Sequence, residues 1–215
     1  MAAILSRSFY AASALEVAPR LLGKVLCHRR RGVLTTGRIL EVEAYMGADD
    51  PASHAHRGPT PRNRAMFGHP GHAYVYFTYG NHWCMNVVTD REGVGSGVLI
   101  RALEPLGGIL AMKRRRGRAE ISHLASGPGK LSEAMGIDRS CYGRDLTREP
   151  LWIEDDGFQS AAWMATPRIG IRKAADLPYR FVVPGSPFVS RPPIAVRPAH
   201  ALSGGRARLR RDAPS

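Results

Sequence analysis

The sequence predicts one compact α+β domain in which helices flank a curved, mainly antiparallel β-sheet with a protruding β-hairpin. A chain of 215 residues with 44% hydrophobic side chains is long enough to bury a core of its own. Several short runs of strand-forming residues are separated by turn signals, and this pattern favours an antiparallel sheet. The clearest hairpin signal is Gly80-Asn81 between two aromatic-rich runs.

The same signals give an order of elements along the chain. Helices are expected at residues 12–22, 105–116 and 130–135. Strands are expected at residues 24–28, 33–45, 72–79, 83–89, 98–103, 151–154, 168–171 and 180–183. Residues 46–71 are rich in Gly, Pro, His and Asp, which predicts an ordered loop with at most a short helix. We expect the domain to occupy residues 1–191, followed by a basic, disordered tail at residues 192–215.

The net charge of the chain indicates which kinds of molecule the protein binds. A formal net charge of +13 attracts polyanions such as nucleic acids, or acidic membrane surfaces. No apolar run reaches the length of a membrane span, and the apolar stretch at residues 2–5 is too short for the core of a signal peptide. We therefore expect a cytoplasmic protein without a membrane partner.

The sequence does not favour a metal site. The three cysteines lie far apart and show no paired spacing. His54-x-His56 and His69-x-x-His72 lack a convincing third ligand. We expect these imidazoles to make single hydrogen bonds, and we predict no bound metal.

Two glutamates and a tyrosine share one predicted strand. Because alternate residues of a strand point to the same face, Glu41, Glu43 and Tyr45 lie together. A carboxylate beside an aromatic ring suits a base next to a stacking platform. The alternative is a solvated strand face, which the pattern alone favours.

Basic residues are spread over several clusters. Among them, we expect Arg62, Arg64 and Lys130 to contact phosphate groups. Lys130 follows Ser126-Gly127-Pro128-Gly129, a helix start whose N–H groups can hold a phosphate oxygen. The alternative for each cluster is a solvated surface.

Six short motifs occur in one order along the chain. They are Glu41–Tyr45, Thr60–Phe67, Tyr74–Tyr76 followed by Tyr79-Gly80, Cys84–Asn86, Leu99–Pro105 and Ser126–Pro128. Together they resemble the alkyladenine (3-methyladenine) DNA glycosylase family in its bacterial form. The likeness covers about residues 22–190, although residues 172–176 fit the family poorly.

The resemblance implies a catalytic group of three residues. Glu43 corresponds to the general base that activates water. Arg101 and the backbone carbonyl of Ile169 correspond to the other groups that hold this water.

The resemblance also implies a pocket for the base. Tyr45, His54 and Tyr76 correspond to its walls. Asn86 corresponds to the residue that crowds the exocyclic amino group of normal guanine. Tyr79 corresponds to the wedge that intercalates into the stack and fills the gap left by a flipped nucleotide.

The implied activity is that of a monofunctional DNA glycosylase. Such an enzyme flips alkylated or deaminated purines out of double-stranded DNA and hydrolyses the N-glycosidic bond, the first step of base-excision repair. No lysine stands at a position that the resemblance marks as catalytic, so we expect neither Schiff-base strand cleavage nor a cofactor. We expect a monomer associated with the nucleoid. The alternative is a non-catalytic protein that binds damaged nucleic acid, and release of free base distinguishes the two.

The resemblance also implies the register of the hairpin, because it places both Tyr76 and Asn86 in the pocket. A two-residue turn would place Asn86 and Tyr76 on opposite faces of the sheet. A three-residue turn at Gly80–His82 pairs Tyr76 with Asn86 and places both on one face. We therefore predict an odd-length connection with Tyr79 at its edge.

Overall fold

The fold was analysed in a computed structural model that describes residues 2–78, 80–117, 120–158 and 162–193. Its strands are β1 (Ala3–Ile4), β2 (Val25–Arg30), β3 (Val33–Tyr45), β4 (Ala73–Thr78), β5 (His82–Thr89), β6 (Ser96–Gly107), β7 (Thr147–Arg148), β8 (Leu151–Asp155), β9 (Met164–Thr166) and β10 (Arg180–Val182). Its α-helices are α1 (Arg7–Tyr10), α2 (Ala14–Leu21), α3 (Ile109–Arg116) and α4 (Pro128–Met135). Short 3₁₀ helices lie at Gly47–Asp49, Arg64–Phe67, Ile121–His123 and Arg139–Cys141.

The described strands form one sheet in which every pair is antiparallel. The main order is β1-β8-β2-β3-β6-β5-β4, while β7 pairs with β8 and β10 pairs with both β3 and β9. This arrangement confirms the predicted α+β class. The long strand β3 organises the sheet, because it pairs with β6 along most of its length and with β10 at residues 41–43.

The two faces of the sheet have different surroundings. Alternate residues such as Val42, Met85 and Ile100 join the main hydrophobic core. Helices α2 and α4 bury apolar side chains in the same core, namely Ala14, Val17, Ala18 and Leu21 of α2 and Leu131, Ala134 and Met135 of α4. The residues in between point away from this core and form the site described below.

Local sequence explains where α2 begins. Ser13 and Glu16 form a capping box, in which the Glu16 N–H donates to Ser13 Oγ at 3.4 Å and the Ser13 N–H donates to the Glu16 carboxylate at 3.2 Å. The cap starts the helix so that Val17 and Leu21 fall on its buried side.

Two predicted elements were wrong. The helix expected from Pro105 begins instead at Ile109, because β6 continues to Gly107. The pairing of β3 with β6 shifts between Thr36 and Gly37, where Leu106 of β6 is the extra residue, and such a bulge tolerates the neighbouring Pro105, which has no N–H.

The strand expected at residues 168–171 is an irregular segment, and the strand of this region is β9. The Ile169 N–H donates to a carboxylate of β3 instead of a neighbouring strand. Gly170 has a φ of +78°, a left-handed conformation that extended strands do not contain.

The hairpin connection has three residues, as the odd-length prediction required. Thr78 pairs with His82, so the connection is residues 79–81 rather than 80–82. The predicted pairing of Tyr76 with Asn86 is therefore wrong, because Asn86 pairs with Tyr74 and Tyr76 pairs with Cys84. Tyr76 and Asn86 still share a face, because Tyr74 and Tyr76 are two residues apart.

Some expectations fall beyond the described residues. Residues 194–215, which include nearly all of the predicted tail, lie outside them, as does Tyr79. Within the described part of the chain, the helices are all too short or too polar to cross a bilayer.

Removal of a core side chain tests the packing of β6 against the helices. Ile100→Ala should lower the free energy of unfolding by about 2–5 kcal/mol, because Ile100 is fully buried and its loss leaves a cavity. Leu110→Ala is the matched control, since Leu110 is 70% exposed, and its effect should stay within about 0.5 kcal/mol. Urea denaturation measures both, and equal losses would contradict this placement of the core.

Candidate active site

A buried cluster of four charges lies at the centre of the sheet. Glu41 and Glu43 of β3 have no exposed surface. Arg101 of β6 bridges them, with its Nε 3.0 Å from Glu41 Oε1 and a terminal nitrogen 3.2 Å from Glu43 Oε2. Arg180 of β10 places its Nε 2.7 Å from Glu41 Oε1. This buried charge cluster shows that the solvated alternative for the β3 face is wrong.

The carboxylate of Glu41 is saturated with donors. Besides the two arginines, it accepts the Ser190 N–H at 2.6 Å and the Ser190 hydroxyl at 2.7 Å. Burial alone would raise the pKa of Glu41, but the positive charges of Arg101 and Arg180 outweigh burial and lower it. Burial alone would lower the pKa of Arg101, but the negative charges of Glu43 and Glu41 outweigh burial and raise this pKa. The cluster therefore holds two negative and two positive charges that neutralise each other.

The carboxylate of Glu43 is oriented by two further donors. The Ile169 N–H donates to Oε1 at 2.7 Å, and the Tyr45 hydroxyl donates to Oε2 at 2.9 Å. Burial raises the pKa of Tyr45, and the charge of Glu43 raises it further, so the phenol keeps its proton. Among the described residues, Ile169 is the one donor to Oε1, so this oxygen keeps a lone pair for another partner.

A cavity of about 320 Å³ adjoins this carboxylate, a volume within the range of pockets that hold small organic groups. We call it the tyrosine pocket. Its walls include Tyr45, His54, Tyr74, Tyr76, Cys84, Asn86, Arg101 and Ile169. The structure thus brings six of the predicted catalytic and pocket residues to one pocket. Glu43 does not line the pocket itself but contacts three residues that do, Tyr45, Arg101 and Ile169.

Aromatic rings dominate one wall of the tyrosine pocket. The rings of Tyr74 and Tyr76 stack with centroids 5.2 Å apart, and the His54 ring meets Tyr76 edge-on at 4.5 Å. His54 Nδ1 lies 3.0 Å from the Tyr74 hydroxyl. Burial raises the pKa of Tyr74 to about 12, whereas burial, followed by the charge of Arg62, lowers that of His54. At neutral pH these side chains are uncharged.

Asn86 presents a polar group to this pocket. Its side chain is buried on β5, and no described residue accepts a hydrogen bond from its amide nitrogen. This nitrogen is therefore a donor that remains available to a ligand in the pocket.

Asn63 holds the loop that carries His54. Its amide nitrogen donates to the carbonyl of His54 at 2.8 Å and to that of Gly58 at 3.1 Å. The backbone next to the pocket is therefore fixed by a buried side chain of the same loop.

Sequence reasoning missed a second buried ion pair. Arg168 contacts the carboxylate of Asp50 through both terminal nitrogens, one of them 2.9 Å from Oδ1. The Arg168 guanidinium carbon also lies 4.6 Å from the centre of the Tyr45 ring. Asp50 and Arg168 are 118 residues apart, so no local spacing could signal their contact.

The predicted phosphate contacts lie at the surface. Arg62, Arg64 and Lys130 are exposed. Arg62 donates to the carbonyl of Phe77 at 2.7 Å, and its guanidinium lies 6.0 Å from the ring centre of Tyr76. Their contact with DNA stays a prediction, as does the role of Tyr79, which lies outside the described residues.

In the part of the chain that the structure describes, no three His, Cys, Asp or Glu side chains are grouped so that they could hold a metal ion. The ionisable groups of the site contact arginines, hydroxyls and backbone N–H groups instead.

Comparison with known proteins identifies the family. The sequence profile of the family described as "Methylpurine-DNA glycosylase" matches residues 8–187. The chain belongs to the methylpurine-DNA glycosylase family. It is therefore a DNA glycosylase, a hydrolase whose substrate is DNA. The matched segment contains the whole buried charge cluster and the walls of the tyrosine pocket, and it ends before Ser190.

Individual relatives of this glycosylase are similar over most of their length. One from Chlorobaculum parvum is 50% identical over 188 residues, which cover 86% of this chain and 90% of the relative. One from Burkholderia orbicola is 52% identical over 191 residues, covering 87% and 91%. One from the Methanoculleus marisnigri strain JR1 is 50% identical over 191 residues, covering 87% and 98%. All three carry the name "Putative 3-methyladenine DNA glycosylase".

The glycosylase should depend on Glu41 for stability. Glu41→Gln leaves Arg101 and Arg180 buried against one carboxylate, so the free energy of unfolding should fall by about 3–5 kcal/mol. Glu92→Gln is the control, because the side chain of Glu92 is 60% exposed. Urea denaturation at pH 7 compares the variants.

Glu41→Gln should also change how the stability of the protein depends on pH. Since the folded pKa of Glu41 is lowered, its ionised form stabilises the fold above the ordinary carboxylate pKa. That stabilisation disappears as the pH falls through the lowered folded value. Glu41→Gln should therefore lose less stability on acidification than wild type, and parallel pH curves would contradict this assignment.

Proposed function

We propose that this glycosylase flips alkylated or deaminated purines out of double-stranded DNA and hydrolyses their N-glycosidic bond without cutting the strand. The observation that carries the proposal is the Glu43 carboxylate, which is shielded from solvent behind a pocket of neutral aromatic rings. The names of the relatives support 3-methyladenine as one substrate.

Glu43 acts as the general base. Positive charge grows on the sugar as the base leaves, and an ionised carboxylate beside the sugar stabilises this charge. A water bound to the free lone pair of Oε1 loses its proton to Glu43 and attacks the sugar carbon. Arg101 and the backbone carbonyl of Ile169 hold this water, and the Ile169 N–H orients the carboxylate at 2.7 Å.

The tyrosine pocket selects the base by stacking. A purine alkylated at N3 or N7 is cationic, and a cation is attracted to the face of an aromatic ring. Tyr45 and Tyr76 stack on the flipped base, with an expected gain of about 1–3 kcal/mol per stacked base. His54 contacts the edge of the base, which a neutral deaminated purine needs for binding.

Tyr79 fills the gap in the duplex. It belongs to the connection between β4 and β5, and the last residue of β4, Thr78, lines the tyrosine pocket. An aromatic side chain at this edge offsets part of the cost of flipping, which is a few kcal/mol. Because the catalytic groups come from one chain, we propose that the enzyme acts as a monomer.

Loss of the general base, Glu43, should stop catalysis without stopping DNA binding. Glu43→Gln keeps the size of the side chain but cannot accept a proton, so release of 3-methyladenine should fall by at least about 100-fold. Binding to a lesion duplex should persist. Glu92→Gln is the exposed control and should retain full activity.

Base release from an alkylated oligonucleotide measures this effect under single-turnover conditions. Near wild-type release by Glu43→Gln would assign the proton transfer to another group. No release by the wild-type enzyme on any lesion would favour a non-catalytic binding protein.

Asn86 should govern the rejection of normal guanine. Asn86→Ser removes the amide that crowds the exocyclic amino group, so discrimination against guanine should fall by about 1–3 kcal/mol. Glu92→Gln, at an exposed residue that does not line the pocket, is the control and should leave discrimination intact. Discrimination is measured as the rate of hypoxanthine release from a hypoxanthine-containing duplex divided by the rate of guanine release from an undamaged duplex. An unchanged ratio in Asn86→Ser would contradict the role of Asn86.

A further inference from the structure

A second, open cavity of about 700 Å³ lies beside α4. The turn between β2 and β3, the end of α3, one side of α4 and the start of β5 enclose it. Four arginines line it, Arg30, Arg31, Arg114 and Arg115. We call it the arginine groove.

The acidic residues of the groove are already neutralised. Asp138 pairs with Arg30 at 2.7 Å. Glu133 pairs with Arg116, which lies outside the groove lining. Neither carboxylate is therefore available to the remaining cations of the groove.

Three cations of the groove lack a carboxylate partner among the described residues. Arg31 and Arg114 are exposed, and neither makes a side-chain hydrogen bond to a described residue. Arg115 donates to the carbonyl of Ala134 at 2.8 Å. Burial, followed by the positive charge of Arg30, lowers the pKa of Arg115, as expected where positive charge is in excess.

Neighbouring residues of the chain line the groove and the tyrosine pocket. Pro128 lines the pocket, whereas the next residue, Gly129, lines the groove. The hairpin shows the same division, because Thr78 lines the pocket while Asn81 and His82 line the groove. A ligand seated over the hairpin end therefore reaches both.

We infer that the arginine groove binds the phosphate backbone of the DNA duplex beside the flipped nucleotide. The inference rests on the proposed function, and it adds a second contact surface to the pocket. Guanidinium groups bind phosphate oxygens in a two-pronged geometry. From Gly129 to Gly136 the groove follows α4 for about 10 Å, at ~1.5 Å per residue. Because one strand of a duplex rises ~3.4 Å per nucleotide along its axis, and its phosphates lie farther apart along the strand, this length holds about two phosphates.

Salt dependence of binding tests the groove. The variant Arg31→Asn/Arg114→Gln removes two of its cations, and asparagine suits the left-handed backbone of Arg31 (φ +47°). The control Arg20→Gln/Arg148→Gln removes two exposed arginines that do not line the groove. Circular dichroism and thermal melting verify that both variants are folded.

The measured quantity is the slope of log K against log[salt] on an undamaged duplex. Each lost phosphate contact makes this slope shallower by about 0.9. The slope of the groove variant should therefore be shallower than that of wild type by about 2, and the slope of the control should equal that of wild type. Equal slopes and affinities for wild type, control and groove variant would overturn the inference. If the wild type binds DNA with a salt-dependent slope but releases no base, the proposed function fails while the groove result still stands.

Inorganic phosphate distinguishes a DNA backbone from a free anion as the ligand. At constant ionic strength, replacing chloride by phosphate should weaken DNA binding more in wild type than in the groove variant, because inorganic phosphate competes for the guanidinium groups that the variant lacks. Phosphate binding that the groove variant loses, with equal DNA affinity and equal salt slope in wild type and variant, would indicate a site for a small anion and would overturn the assignment to the backbone.

Discussion

Two carboxylates buried on one strand are the constraint on which the rest of the structure depends. Removing a charge from water costs several kcal/mol, and Glu41 and Glu43 remain buried because arginines compensate them. Arg101 comes from β6, and Arg180 comes from β10, where it pairs directly opposite Glu43. The register of β6 and of β10 against β3 therefore determines whether these arginines reach the two carboxylates. The C-terminal segment is held in the same way, because Ser190 donates twice to Glu41.

This arrangement gives the two glutamates different tasks. Glu41 receives four donors, two of them from arginines, and does not line the tyrosine pocket, so its role is to hold Arg101 and Arg180 in place. Glu43 shares Arg101 with it but keeps a lone pair on Oε1. Donors fixed in advance do not have to reorganise when charge develops, which is the principal advantage of such a site. In the proposed mechanism, Glu41 acts on the reaction only through Arg101.

The features that sequence predicted depend on local periodicity and on family resemblance. The common face of Glu41, Glu43 and Tyr45 follows from the two-residue period of a strand, whereas that of Tyr76 and Asn86 was implied by the resemblance. The features that it missed depend on contacts across the chain. Arg168 meets Asp50, and Arg180 meets Glu41, over separations of more than a hundred residues. Only the folded sheet brings these residues together.

The predicted boundaries failed where tertiary contacts override local preference. Pro105 argues against a strand by itself, yet a bulge at Leu106 accommodates it within β6. Residues 168–171 have the composition of a strand, but the Ile169 N–H is used by Glu43. Such sites, where local rules break down next to charged groups, are those where function constrains the backbone most.

The distribution of charge separates DNA binding from chemistry. The chain carries a formal charge of +13, but inside the site each arginine is matched by a carboxylate. The pocket rings are neutral as well, since burial raises the pKa of Tyr74 and lowers that of His54. In the proposed mechanism, a cationic base that enters the tyrosine pocket therefore meets aromatic faces and not a free positive charge. The unmatched cations lie outside, for example in the arginine groove, where they attract a polyanion without opposing the base.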